Sequence, residues 1–176
     1  MMVNEKSKVV YPVVVVYVEG IKCRALLDTG AGSSYASAYL LNMLDKKPKR
    51  TETKTMEMMM SSKNTKIDIY DVEISNLEKT FKLRTELNKV QRNVLINIDN
   101  PRYDQIKRDY PHLSDVVMSD TDRKAELPIH VILGTSEYAR IKTQTKPKLG
   151  KQGDPVAEQT RFGWTIMKAG TLFTKS

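Results

Sequence analysis

Leu26-Leu27-Asp28-Thr29-Gly30-Ala31 places a carboxylate directly after two apolar residues and directly before a hydroxyl and a glycine. An ionised carboxylate at the end of an apolar strand is costly to bury unless N–H groups compensate it. Asp28 is therefore expected either to be tied into a turn or to be tuned for chemistry. The first option is an Asx turn closing a strand, in which the side chain accepts from the backbone two residues on. The second is a catalytic carboxylate, with Gly30 letting the backbone come close to a bound molecule.

Working upstream, residues 9–18 are dense in valine and Glu19-Gly20 is a turn signal, so a strand and a reversal are expected. Ile21, Cys23, Ala25 and Leu27 then alternate with Lys22 and Arg24, the two-residue period of a strand with one face on a core. This hairpin delivers Asp28 to its end.

Downstream, Gly32-Ser33-Ser34 reads as loop, with Ser34 expected to cap a short helix through Tyr35, Ala38, Leu41 and Leu44. Residues 51–60 and 67–74 flank the turn formers at 61–65, which predicts a second hairpin with its tip there. Met58, Met59 and Met60 precede that tip, either as a flexible apolar lid or as packing beneath the hairpin. Residues 81–90 read as another strand. From 93 to 127 the character changes: a helix at 103–110 is stopped by Pro111, and 115–126 reads as exposed loop. Residues 128–134 form a buried-type strand ending in Gly134, followed by a helix at 136–141. A long basic loop at about 142–160, carrying Pro147, Gly150, Gly153 and Pro155, leads to a closing strand at 162–167.

The 176 residues suit one domain, 9–176, behind a polar tail at 1–8, elaborated by the insertion at about 93–127 and the basic loop. The net charge of +8 comes from 29 Lys and Arg spread along the chain, and the 8 Tyr, 3 Phe and 1 Trp form no repeated aromatic and basic pattern, so nucleic acid is not expected among the partners. A single cysteine, Cys23, excludes an intrachain disulfide and fits a reducing, cytoplasmic compartment. His112 and His130 lack ligand spacing, so no metal and no cofactor are expected. The apolar run at 9–18 contains Pro12 and is too short to cross a bilayer, so no membrane partner is expected.

The order of these elements, with Asp28-Thr29-Gly30-Ala31 early and Ile132-Leu133-Gly134 late, resembles that of retroviral-type aspartic proteases, the retropepsins. Val131-Ile132-Leu133-Gly134-Thr135-Ser136-Glu137-Tyr138 followed by Phe162-Gly163-Trp164 is more closely similar to the protease region of BEL/Pao-type LTR retrotransposon polyproteins. The resemblance spans about residues 13–170. It implies a mainly β, half-barrel acid-protease fold with short helices and a helical insertion, and hydrolysis of peptide bonds in a retroelement polyprotein or a host protein, in the cytoplasm or inside retroelement particles.

By the same resemblance Asp28 is catalytic, Thr29 bonds across a two-fold axis, and Gly30 lets the loop turn close to substrate. Ala31 and Gly32 lie beside substrate, Met58, Met59 and Met60 belong to a covering flap, and Ile132 lines the pocket floor while Leu133 and Gly134 support the catalytic loop. Residues 163–167 correspond to the segment that joins an intersubunit sheet. The chain has one Asp-Thr-Gly triplet and no second, since Ser119-Asp120-Thr121-Asp122 lacks the glycine. Chemistry by paired carboxylates then requires a homodimer. Retroviral enzymes carry an Asp and a paired Arg where this chain has Gly32 and Thr135; both are missing together, so no unpaired charge is left behind. The gap between Asp28 and Gly134 exceeds the retroviral one by about 40 residues, assigned to the insertion. The rival expectation is a catalytically silent binding or dimerisation module on the same scaffold.

Overall fold

The computed structural model describes residues 4–58 and 61–174. After a short strand β1 (Asn4–Ser7), the valine-rich β2 (Val13–Val18) and β3 (Ile21–Leu27) form the expected hairpin. Glu19 and Gly20 both take positive φ, 47° and 83°. That is what a two-residue turn matched to the twist of its strands requires. Cys23, Ala25 and Leu27 are buried as the alternation predicts, and burial pushes the Cys23 thiol up to about 12, so it remains a core thiol.

The chain continues through β4 (Tyr35–Ser37) and α1 (Ala38–Met43) into a long hairpin, β5 (Arg50–Met58) and β6 (Ser61–Ser75), then β7 (Lys82–Val90), β8 (Ile96–Asp99) and α2 (Tyr103–Asp109). A 3-10 turn at Pro111–Leu113 precedes β9 (Glu126–Ile129), β10 (Val131–Leu133), α3 (Thr135–Ile141), β11 (Val156–Thr160), β12 (Gly163–Met167) and β13 (Thr171–Thr174). The fold is mainly β, with short helices.

Seven strands share one sheet in the order β2-β3-β10-β4-β7-β6-β5, and β6 also pairs with β2 through Tyr17↔Ser75 and Val18↔Ile74. That extra pairing closes six of the strands into a ring around Val16, Val18, Ala25, Leu40, Leu83, Leu87 and Leu133, all nearly or fully buried. The two crossings that matter most are parallel: β10 beside β3, with Leu133 opposite Leu27, and β4 beside β7. The first half of β6 pairs only with β5, so this hairpin extends beyond the ring as an arm.

Four local expectations are corrected. The arm reverses between Met58 and Ser61, not at 61–65, because Ser61–Thr65 continue the ladder with β5; Met59 and Met60 themselves lie outside the described residues. Ser34 does not cap α1. It is buried beneath the Asp28 loop, Tyr35 and Ala36 pair with β10, and Ser37 takes over as the cap by accepting from Leu40 N at 3.1 Å. Residues 4–7, expected as tail, form β1 paired with β13, whereas 163–167 pair with β11 in a hairpin, so the terminal ladder is β1–β13. The basic loop is partly ordered into that hairpin, with bridges Lys142↔Thr160 and Lys148↔Ala157.

The insertion packs as a second layer. Tyr103, Leu113 and Val116 are buried against Val10, Ala157 and Ile166, while Ile98 and Leu127 pack with Val13 and Ile129. Residues 115–126 are therefore not a plain exposed loop. Asp120 accepts from Arg24 Nε at 2.6 Å and Asp122 from Arg24 Nη2 at 2.8 Å, tying the insertion to the outer face of β3. Among the described residues no helix is long and apolar enough to cross a membrane.

Candidate functional site

Leu27 is the last inward-facing residue of β3, so the two-residue period turns Asp28 away from the core. Asp28, Thr29 and Gly30 are all exposed in the single chain. The carboxylate is thus not the buried charge that its apolar neighbours suggest. It lies on the face shared by Leu26 and by Ile132, which is opposite Leu26 in the parallel β3–β10 ladder and half-buried.

The loop is closed by an Asx turn: Gly30 N donates to Asp28 Oδ1 at 2.9 Å, and Ala31 N donates to Asp28 O at 3.1 Å. Asp28 N in turn donates to Leu133 O at 2.9 Å, fixing the backbone on the end of β10. The turn engages Oδ1 alone. Among the described residues Oδ2 has no hydrogen-bond partner, so the turn and an available carboxylate oxygen coexist.

Beneath the loop runs Gly134. A Cβ built there would stand 2.7 Å from Ala31 O and 2.8 Å from Ser33 O, so only glycine allows the two backbones to approach this closely. Ser34 Oγ accepts from Gly134 N at 2.9 Å and donates to Glu137 Oε1, and both side chains are buried. The Ser34 carbonyl accepts twice from Asn88, from its N and its Nδ2, both at 2.9 Å. A buried acid is tolerable here because it is hydrogen-bonded.

Ser34, Asn88 and Glu137 went unrecognised in the sequence as supports of the loop. One signal was available: Glu137 and Ile141 are four apart on α3 and share its buried face, so a carboxylate stands where the helix period calls for an apolar residue.

Thr135 stands where the resemblance leads one to expect an arginine. Its N–H donates to Ala31 O at 3.0 Å and its hydroxyl to Thr29 O at 2.6 Å, so it anchors the loop through backbone carbonyls. Thr135→Val is expected to lower stability by about 1 kcal/mol and to speed amide exchange at Thr29–Ala31, with Thr135→Ser restoring both, as read by thermal melts and hydrogen exchange.

The remaining candidates are distributed unevenly. Ala31 is half-buried and Gly32 exposed, both on the loop itself, and the Thr29 hydroxyl has no hydrogen-bond partner among the described residues. Met58 ends β5 opposite Ser61, at the far end of the arm from Arg50↔Ile69, and nothing described brings it to Asp28.

No family model matches the chain, and no curated protein matches it. Among solved structures, a retropepsin-like aspartic protease from Rickettsia conorii aligns over 98% of this chain and 97% of that chain, at 9% sequence identity and a TM-score of 0.45.

Proposed function

We propose that the chain is an aspartic endopeptidase of retroviral type, active as a homodimer in which the Asp28 side chains of two copies meet across a two-fold axis. The observation that carries this reading is the bracing of the Asp28 loop from below by Gly134, which holds an outward-facing carboxylate rigidly at the end of a core strand. Three further features support it. The Asx turn leaves Oδ2 available, half-buried Ile132 lies on the same face of the sheet, and the Thr29 hydroxyl is available to a second copy.

Two carboxylates held side by side cannot both ionise at low cost, so the pair shares one proton. The ionised member takes a proton from the attacking water while the protonated member donates to the carbonyl oxygen of the scissile peptide, and the tetrahedral adduct collapses with protonation of the leaving amine. Ala31 and Gly32 flank the substrate backbone, Ile132 meets a side chain beside the scissile bond, and the β5–β6 arm covers the cleft and excludes water, with Met58, Met59 and Met60 contributing to substrate binding. The substrate is a polyprotein of the BEL/Pao retroelement kind or a host protein, processed in the cytoplasm or in retroelement particles.

Incubation of the wild type and Asp28→Asn with a peptide library from mildly acidic to neutral pH tests the activity, and sedimentation tests the assembly. Cleavage that depends on Asp28 and a dimer that binds a statine-type inhibitor are the expected results. A chain that stays monomeric at high concentration and cleaves nothing refutes the reading in favour of a binding module.

A further inference from the structure

An open cleft of about 460 Å³ begins where the Asp28 loop ends, with Gly32, Ser33 and Ser34 on one side and the base of the β5–β6 arm on the other. Charged side chains dominate its walls, and their pairing is uneven. Glu86 receives both Arg50 Nη1 at 2.7 Å and Arg50 Nη2 at 2.8 Å, together with Lys49 Nζ at 3.0 Å; Arg50 and then Lys49 hold it down to about 2, so it is ionised and already neutralised. Glu52 accepts from Arg50 Nε at 3.1 Å, and Asp71 accepts from Arg84 Nη1 at 3.1 Å. Glu137, at the back, is occupied by Ser34. Every acid lining the cleft is thus committed.

Two cations are not. Lys54 Nζ donates to the amide oxygen of Asn88 at 3.1 Å, and Arg140 Nη1 donates to the carbonyl oxygen of Arg84 at 3.1 Å. Among the described residues neither has a carboxylate partner. Both acceptors are neutral, so each cation keeps its charge uncompensated within the cleft. Lys54 is half-buried, on the arm strand, and its partner Asn88 is the residue that holds Ser34. A substrate leaving the Asp28 loop along this cleft therefore meets fixed positive charge before it meets bulk solvent.

We infer that Lys54 and Arg140 form a charge-selective subsite that admits an acidic substrate side chain at one position away from the scissile bond. This rests on the peptide cleft of the proposed function. The two cations replace their neutral acceptors, or share them, with a Glu or Asp carboxylate of the peptide, gaining charge-assisted hydrogen bonds that a neutral side chain does not offer. A basic side chain at the same position is repelled. Elsewhere on the wall Lys49, Arg50 and Arg84 are matched by Glu52, Asp71 and Glu86, while Glu137 is held at the back by the Ser34 hydroxyl.

The test reads binding and cleavage separately. Extended peptides carrying Glu, Gln or Lys at one position at a time are titrated against Asp28→Asn, which reports affinity without turnover. At one position Glu is expected to bind about tenfold more tightly than Lys. Adding Lys54→Gln and Arg140→Gln flattens that difference, and Lys54→Glu with Arg140→Glu reverses it. Equal affinity for the three residues at every position overturns the inference, as does a preference that survives both pairs of substitutions. The same peptides are offered to the wild type. Charge-selective binding without Asp28-dependent cleavage sinks the catalytic reading and leaves the subsite standing, whereas cleavage indifferent to charge does the reverse. Failure of any peptide to bind overturns both.

Discussion

Asp28→Asn is expected to lower peptide hydrolysis by about 10²–10⁴-fold while leaving the melting temperature essentially unmoved. The two halves of this expectation have separate causes. The amide keeps an oxygen where Oδ1 now accepts from Gly30 N, so the Asx turn persists, and the residue is exposed, so no core contact is lost. What disappears, on the proposed mechanism, is the ability of two Asp28 side chains to share a negative charge and a transferable proton. Steady-state cleavage of a library-derived peptide, beside a thermal melt of the same preparation, measures both. Undiminished turnover in the asparagine variant would refute the assignment of Asp28, whatever the fold.

Gly134→Ala is expected to act in the opposite pattern, striking stability and activity together. The added Cβ would meet two backbone carbonyl oxygens at 2.7 and 2.8 Å and the Ser33 carbonyl carbon at 3.1 Å. None of these atoms belongs to a flexible side chain that could swing aside. The Asp28 loop or the start of α3 must shift, at a cost of about 1–3 kcal/mol. Because Asp28 N hangs on Leu133 O and Thr135 N on Ala31 O, the shift carries the carboxylate with it. A displacement near 1 Å at the reacting group is enough for a loss of about 10²-fold in rate. Chemical denaturation and cleavage assays on one sample check the pair; a variant as stable as the wild type contradicts the close approach of Gly134 to the Asp28 loop.

The strands that carry Asp28 were legible because a local rule governs each: valine density, the Glu19-Gly20 reversal and the strict alternation from Ile21 to Leu27 all point the same way. The barrel's closure was not. It depends on Val18 meeting Ile74 across more than fifty residues, and nothing in either neighbourhood specifies the partner. The same holds for β1 and β13, two four-residue strands whose pairing is entirely non-local. Ser34 shows how a local rule misleads. Its hydroxyl is a good helix cap by type, but burial under Gly134 gives it other bonds to make, and Ser37 caps the helix instead. Around the candidate site, the place of Asp28, Thr29 and Gly30 just past β3 was readable from the alternation before them, whereas the bonds that Asn88 and Glu137 make to Ser34 were not, because these residues reach it from a strand and a helix far along the chain.

Thr135 gives the loop a property of its own. Where an ion pair secures such a turn, added electrolyte weakens the fastening as counter-ions gather round its charges. Here the hydroxyl and the amide of Thr135 reach neutral carbonyls of Thr29 and Ala31, and no net charge is involved. The geometry at Asp28 should then hold unchanged in concentrated salt, so that any sensitivity of the proposed activity to ionic strength arises where substrate binds and not at the Asp28 loop.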